Sequence, residues 1–190
     1  MNGKLYDFIL KPVETFHLGH IRDSLLSSAR GKTLEIGAGT GLNFSHYPQG
    51  IEVVATDYDE NMLKAAKKHG LSHHVKVEVA DAQNLPYPDN EFDTVVATLV
   101  FCSIPDPDKA LREVHRVLKP GGSFLLLEHV RRNTPVAGKI LDTLTPVWKN
   151  IAGGCHLNRD PEKTIHDLGF KIESRKTIWN CLGKIWHLKK

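Results

Sequence analysis

The sequence is poor in cysteine and has no long apolar run, and both shortages narrow what it can be. Its 3 cysteines, Cys102, Cys155 and Cys181, stand far apart with no CxxC pair, which excludes a disulfide framework or a zinc motif read from local spacing and fits a reducing, cytoplasmic setting. The longest mostly apolar stretch, VVATLVFCSI from Val95 to Ile104, falls well short of the roughly 20 residues that a helix needs to cross a bilayer. At the N-terminus, MNGKLYDFILKPVETFHLGHIRD breaks its apolar residues with charges and Pro12, so no signal peptide is expected. A massed basic stripe is also missing. The net charge is +3 and the 25 lysines and arginines are scattered, which argues against nucleic acid as a partner. The histidine pairs His17/His20 and His73/His74 have no carboxylate or cysteine at ligand spacing nearby, so no metal is expected.

What is present describes one ordinary globular domain. The chain has 190 residues, 41% of them hydrophobic and 25% charged, enough to bury a core. No repeat, low-complexity tract or linker divides it, so a single domain over 1–190 is expected. Short β-branched runs, TLEI, IEVVAT, VKVEV, FDTVVAT and SFLLLEHV, alternate with amphipathic segments, which predicts a parallel sheet with crossover helices. The clearest helix opens in DPDKALREVHRVLKPGG: Asp106 can cap it, Pro107 suits its first position, and Pro120 with two glycines stops it. Beyond the fifth strand, RRNTPVAGKILDTLTPVWKNIAGGCHLNRD reads as irregular and PEKTIHDLG as a short helix. FKIESRKTIW and GKIWHLKK then read as two strands around NCLG, a turn so short that the pair must be antiparallel.

The stretch KTLEIGAGTGLNFSHYPQGIEVVATDYDE carries the chemistry. A strand ending at Ile36 runs into Gly37, Gly39 and Gly41, a turn whose backbone can approach a ligand closely. The spacing is GxGxG, not the GxGxxG of dinucleotide folds. Glu35 faces that loop with a carboxylate, which would repel a pyrophosphate and suits a ligand with positive charge. Asp57 closes the second strand, where an acid takes ribose hydroxyls, and Asp81 closes the third, where an acceptor can take the amino group of adenine. A cationic ligand with ribose and adenine but no phosphate is S-adenosylmethionine.

Four motifs in order, EIGAGTG, TDYDENML, VADAQNLPYPDNEFD and REVHRVLKPGG, resemble those of the class I S-adenosylmethionine-dependent methyltransferases of the small type-11 or ubiquinone/menaquinone-biosynthesis kind. LVFCSIPDPDKALREVHRVLKPGGSFLLLEHV, with the later PVWKNIAGGCHLNRD, is similar to the narrower branch of animal alkyl-thiol S-methyltransferases. Members of that branch carry an N-terminal membrane anchor, which is not expected here. The resemblance implies an α/β, Rossmann-like sheet of seven strands in the order 3-2-1-4-5-7-6, strand 7 antiparallel, with helices on both faces. It implies that Gly37, Ala38, Gly39 and Gly41 line the methionine part of the cofactor with Glu35 beneath. Asp57 would take the ribose, Tyr58 and Met62 flank the adenine, Asp81 and Ala82 hold its edge, and Thr98 and Asn43 face the methionine moiety.

Methyl transfer from a sulfonium is an in-line displacement, so the protein holds donor and acceptor in line and excludes water. A thiol acceptor needs no strong base, since a thiolate fraction exists near neutral pH; a phenol or enol acceptor would want one. The acceptor pocket is expected over the ends of strands four and five, roofed by an N-terminal helical lid within 1–30 and by a capping segment at 131–160. Phe101, Trp148 and Arg159 are its candidate binding residues, and His129, then His156, its candidate base or thiol-orienting group. Cys102 and Cys155 read as small buried residues, because direct transfer needs no enzyme nucleophile.

The expected acceptor is therefore a small molecule, by resemblance a thiol. Quinone precursors, phospholipid amines and natural products remain alternatives, as does a silent cofactor-binding protein. The segment from Leu5 to Leu26 has helical spacing around Pro12 and fits a lid, with peripheral membrane contact left open by its lysines. A nicotinamide-dependent oxidoreductase would want the missing GxGxxG. A nucleic-acid amino-methyltransferase would want Asn or Asp followed by Pro-Pro-aromatic where TLVFCSIPD stands.

Overall fold

In a computed structural model, the structure describes residues 18–68, 74–132, 134–152 and 154–190. The expected lid up to residue 17, and His73 of the second histidine pair, lie outside the described residues.

The β-branched runs form the strands they predict: β1 (Lys32–Ile36), β2 (Glu52–Asp57), β3 (Val75–Val79), β4 (Phe92–Thr98) and β5 (Leu118–His129), then β6 (Lys171–Ile178) and β7 (Gly183–Lys189). They join one sheet in the order β3-β2-β1-β4-β5-β7-β6. The pairs β1–β2, β1–β4, β2–β3 and β4–β5 are parallel, and β7 runs antiparallel to both β5 and β6. The expected topology is thus the observed one. The β6–β7 connection is a single 3₁₀ turn, Trp179–Cys181, with left-handed φ of 49° at Trp179 and 70° at Cys181.

Among the described residues, five helices flank the sheet: α1 (Gly19–Leu26), α2 (Glu60–Lys68), α3 (Pro107–Val117), α4 (Pro135–Ile151) and α5 (Glu162–Asp167). Asp106 caps α3 by accepting from the Lys109 amide at 2.9 Å, and Pro107 fills the first turn. Alternation along β5 divides the interior. Phe124 and Leu126 pack with Ala110, Leu111, Val114 and Val117 of α3, while Leu125 and Leu127 pack with Leu25 and Leu26 of α1 and Leu63 and Ala66 of α2. The sheet is therefore covered on both faces, as a mainly parallel sheet requires. Among the described residues no helix is long and apolar enough to cross a membrane.

One element departs from expectation. Residues 135–151, read from sequence as irregular, form the 17-residue helix α4 with Pro146 inside it. Pro146 removes one helical N–H, a cost that ordinarily stops a helix. Here the turn before it is tied by Thr145 Oγ1 donating to the Leu141 carbonyl at 2.7 Å. Arg131 braces the helix with two hydrogen bonds to the Asp142 carboxylate, at 2.8 and 3.0 Å. Val136, Ile140, Leu144, Val147 and Ile151 repeat at helical spacing on a face left exposed, with Val136 74% and Ile151 68% accessible.

Candidate active site

Strand order reverses between β1 and β4, and in open α/β sheets ligands bind at the carboxyl ends of such a switch point. The three glycines after β1 all adopt left-handed φ, 71° at Gly37, 56° at Gly39 and 85° at Gly41. A Cβ on Gly37 would lie 2.2 Å from Val100 Cγ2, so only glycine lets the loop pass beneath the β4 end. The loop is tied to β2 by the Ala38 amide on the Thr56 carbonyl at 2.9 Å and the Gly39 amide on Asp57 Oδ2 at 2.8 Å. Above it opens a cleft of about 550 Å³. Gly37, Ala38, Gly39, Asn43, Asp57, Tyr58, Met62, Asp81, Ala82 and Thr98 all line it, so ten of the twelve expected cofactor residues meet around one space.

The other two stand behind the wall. Gly41 packs against Phe44, where an added Cβ would come within 2.6 Å of the ring. Glu35 is 1% exposed; its carboxylate accepts from Asn43 Nδ2 at 2.8 Å and from the Tyr47 hydroxyl at 2.9 Å. The Glu35 carboxylate therefore faces side chains of the wall instead of the cleft. Burial pushes its pKa up to about 7, against the pull of the Asn43 and Tyr47 hydrogen bonds and the Arg22 charge. The same burial, with the Glu35 charge beside it, raises the Tyr47 phenol. Arg22 of α1, a residue that its sequence context does not single out, is 5% exposed and lines the cleft. Its Nη1 donates to Asn43 Oδ1 and, at 2.9 Å, to Thr98 Oγ1.

Asp57 Oδ1 accepts the Asp59 amide at 2.9 Å, and burial raises its pKa despite the backbone amides of Asp59, Gly39 and Tyr58. Asp81 Oδ1 holds the amide and side chain of Gln83, at 2.8 and 3.0 Å. Tyr58 is 79% exposed at the rim. Leu99, with a left-handed φ of 56°, donates its amide to Leu127 at 2.8 Å and turns the chain after β4 into the cleft.

A second, smaller cavity of about 200 Å³ lies at the ends of β4 and β5, lined by Phe101, Cys102, Glu128, His129, Arg159 and neighbouring residues. Here the structure gathers much of the expected acceptor set. Arg159 Nη1 donates to the carbonyls of Phe101 at 2.6 Å and Ile104 at 2.5 Å, and burial lowers its pKa. His129 Nε2 lies 2.9 Å from Cys155 Sγ. A hydrogen bond with Cys102 and the neighbouring imidazole hold the Cys155 thiol well below the usual thiol range, and the same bond with burial raises Cys102. Burial pulls His129 down but Cys155 outweighs it, leaving the imidazole raised. Burial also pushes Glu128 to about 7, although its Oε1 accepts the amides of Val100 at 2.6 Å and Phe101 at 2.7 Å.

Two expected acceptor residues are placed elsewhere. Trp148 on α4 is 42% exposed and lines neither cavity, meeting the site only by a hydrogen bond to Cys155. His156 likewise lines neither; its Nδ1 lies 3.2 Å from the Cys102 carbonyl. That bond ties two loops together and leaves the His156 Nε2 outside both cavities.

Residues 34–126 match the methyltransferase domain family described as Methyltransf_11. A thiol S-methyltransferase of Rattus norvegicus is 40% identical over 158 residues, 79% of this chain and 64% of the relative, so the chain spans just under two thirds of that protein. A ubiquinone/menaquinone biosynthesis C-methyltransferase of Azotobacter vinelandii is 34% identical over 130 residues, covering 64% of this chain and 51% of the relative. Among solved structures, an S-adenosylmethionine-dependent methyltransferase from Mesorhizobium loti superposes with a TM-score of 0.71 at 19% identity, over 90% of this chain and 96% of that one, a likeness of fold. With its sheet order, its glycine loop and its relatives in agreement, residues 34–126 of the chain are a methyltransferase domain of that type-11 family, set in a Rossmann-like seven-stranded sheet.

Proposed function

We propose that this domain binds S-adenosylmethionine in the 550 Å³ cleft and moves its methyl group to a small thiol. The observation that carries the cofactor reading is the convergence of a left-handed glycine loop with Asp57 and Asp81 at successive strand ends. The cleft fits that group: a cradle closed to any Cβ at Gly37, two carboxylates spaced along the wall, and one arginine. In this reading Asp57 takes the ribose hydroxyls, Asp81 and Ala82 the adenine edge beside Met62 and Tyr58, and Gly37 to Gly39 the methionine part. Arg22, held by Asn43 and Thr98, suits the carboxylate end. The cofactor supplies an electrophilic methyl on sulfur; the chain supplies alignment and dryness.

The thiol assignment rests on what the rat relative is named for, together with the cysteine, histidine and arginine gathered beside the cleft. Phe101 and Arg159 would border the acceptor, and His129 would orient it through the Cys155 contact. The test is release of S-adenosylhomocysteine, followed by mass spectrometry, across alkyl and aryl thiols, hydrogen sulfide, phenols, amines and a phospholipid. Turnover of thiols at least tenfold above every other class is expected. Turnover of a phenol or amine in preference sinks the thiol part and leaves the cofactor part standing.

The apolar face of α4 supports peripheral contact with a membrane surface, where hydrophobic thiols partition. Val147→Glu in the middle of that face is expected to lower co-sedimentation with phosphatidylcholine/phosphatidylserine vesicles at least threefold while cofactor affinity, measured by calorimetry, stays unchanged. Equal sedimentation of the variant would refute the contact.

A further inference from the structure

Cys102, His129 and Cys155 come from three distant places in the chain, the loop after β4, the end of β5 and the loop after α4. Their side chains converge so that Cys102 Sγ, the His129 ring nitrogen and Cys155 Sγ all lie within 4.8 Å of one another. From this geometry we propose that they form a metal site for a thiophilic divalent cation, zinc in the first instance, with three protein ligands and a fourth position open to the 200 Å³ cavity.

The donor set is the first reason. Two thiolates and one imidazole form a soft ligand set that selects zinc over magnesium or calcium, and three protein ligands with a vacant fourth corner are the pattern of reactive zinc sites. Zinc–sulfur bonds of about 2.3 Å and zinc–nitrogen bonds of about 2.0 Å place neighbouring ligand atoms some 3.5 Å apart in a tetrahedron. Separations of at most 4.8 Å, with 2.9 Å between His129 Nε2 and Cys155 Sγ, reach that spacing by side-chain adjustments of about 1 Å. Two thiolates also neutralise the ion's two charges, and a fourth, anionic ligand would face the Arg159 guanidinium in the cavity wall.

The second reason is that the ligands are held in place before any ion arrives. The His156 amide donates to the Cys102 carbonyl at 2.9 Å, and the Cys155 amide to Ala152 at 3.2 Å, which fixes the Cys155 loop against the Cys102 loop. Gly154, at a left-handed φ of 91°, makes the turn that presents Cys155. The third reason lies in the cavity lining. Glu128 Oε2 and His129 Nδ1 are buried there with no hydrogen-bond partner among the described residues, so the pocket offers polar atoms to an occupant and its bound water or ligand. Binding releases to the buffer the protons that the Cys102, His129 and Cys155 side chains hold and changes no oxidation state.

Only the identity of the fourth ligand rests on the thiol reading. The test titrates cobalt(II), a coloured zinc substitute, into the full chain reduced and freed of metal. Thiolate-to-cobalt absorption in the near ultraviolet and tetrahedral bands in the visible should saturate at one ion per chain. Cys102→Ser, Cys155→Ser and His129→Ala should each lower that stoichiometry at least fivefold, whereas Cys181→Ser keeps it. An alkyl thiol should then shift the visible bands. Protein that still binds S-adenosylmethionine but develops no cobalt bands, or bands that survive Cys102→Ser with Cys155→Ser, would overturn the site. Bands that no thiol perturbs would overturn the open fourth position. Cofactor affinity measured on the same samples reports the functional reading separately.

Discussion

Asp57→Ala is expected to weaken S-adenosylmethionine binding about 100-fold. In the fold, Asp57 has two tasks. Its Oδ2 accepts the Gly39 amide at 2.8 Å and its Oδ1 the Asp59 amide at 2.9 Å, so the carboxylate stitches the glycine loop to the start of the helix that follows β2. A carboxylate has about four acceptor sites; with the Tyr58 amide also bonded to it, one site stays open and a ribose takes that one and shares a second. Hydrogen bonds to a charged group contribute about 1.5 to 3 kcal/mol each, so losing two costs about 3 kcal/mol or more, and 1.4 kcal/mol is about tenfold in affinity. Asp57→Asn, which keeps one acceptor oxygen, should fall between wild type and alanine. Titration calorimetry gives the affinities, and thermal unfolding checks that the loop has survived. A folded Asp57→Ala protein that binds within threefold of wild type would remove Asp57 from the ribose site.

The sheet was legible because its signals are local. TLEI, IEVVAT, VKVEV and FDTVVAT are β-branched runs bounded by turn residues, and strand formation follows from them whatever the rest does. Even the reversal of β7 was legible, because NCLG leaves no room for a crossover. The cleft was legible for a related reason: the fold places ligand residues at the strand ends, so knowing where β1, β2 and β3 stop was enough to find Gly37, Asp57 and Asp81, while Thr98 came from the family resemblance.

Helix α4 was not legible, although Val136, Ile140, Leu144, Val147 and Ile151 have helical spacing. Gly138, two threonines and Pro146 speak against a helix locally, and what outweighs them is tertiary: the Arg131–Asp142 pair and packing that sequence does not display. The Cys102–His129–Cys155 cluster was hidden more thoroughly. Metal motifs are recognised by ligands a few residues apart, whereas these three become neighbours only once β4, β5 and the loop after α4 end at one edge of the sheet. Arg22 was missed because a lone arginine in a short amphipathic helix reads as a solvated face until α1 is seen to lay it on Asn43 and Thr98.

Glu35 gives the second large effect, a dependence of stability and cofactor affinity on pH. Its folded pKa is about 7 where the unfolded value is 4.5. The groups that face it are Asn43 and Tyr47 by hydrogen bonds and Arg22 and Asp57 through charge. A carboxyl raised by folding binds its proton more tightly in the native state, so between pH 4.5 and 7 the native state holds a proton that the unfolded chain has released. Stability from this group is therefore fully present below pH 4.5, falls as pH rises to about 7, and is level above it. At about 1.4 kcal/mol per pKa unit the swing is about 3 kcal/mol. A cationic ligand in the cleft favours the ionised carboxylate, one hydrogen bond behind the wall through Asn43. Affinity for S-adenosylmethionine should then rise several-fold from pH 5.5 to 7.5, and binding near pH 6.5 should release a fraction of a proton, read by calorimetry in buffers of different ionisation enthalpy. In Glu35→Gln both slopes should flatten and affinity should stay at the low-pH level of the wild type. Undiminished pH dependence in that variant would assign the proton to another group, Asp57 first, whose burial also raises its pKa.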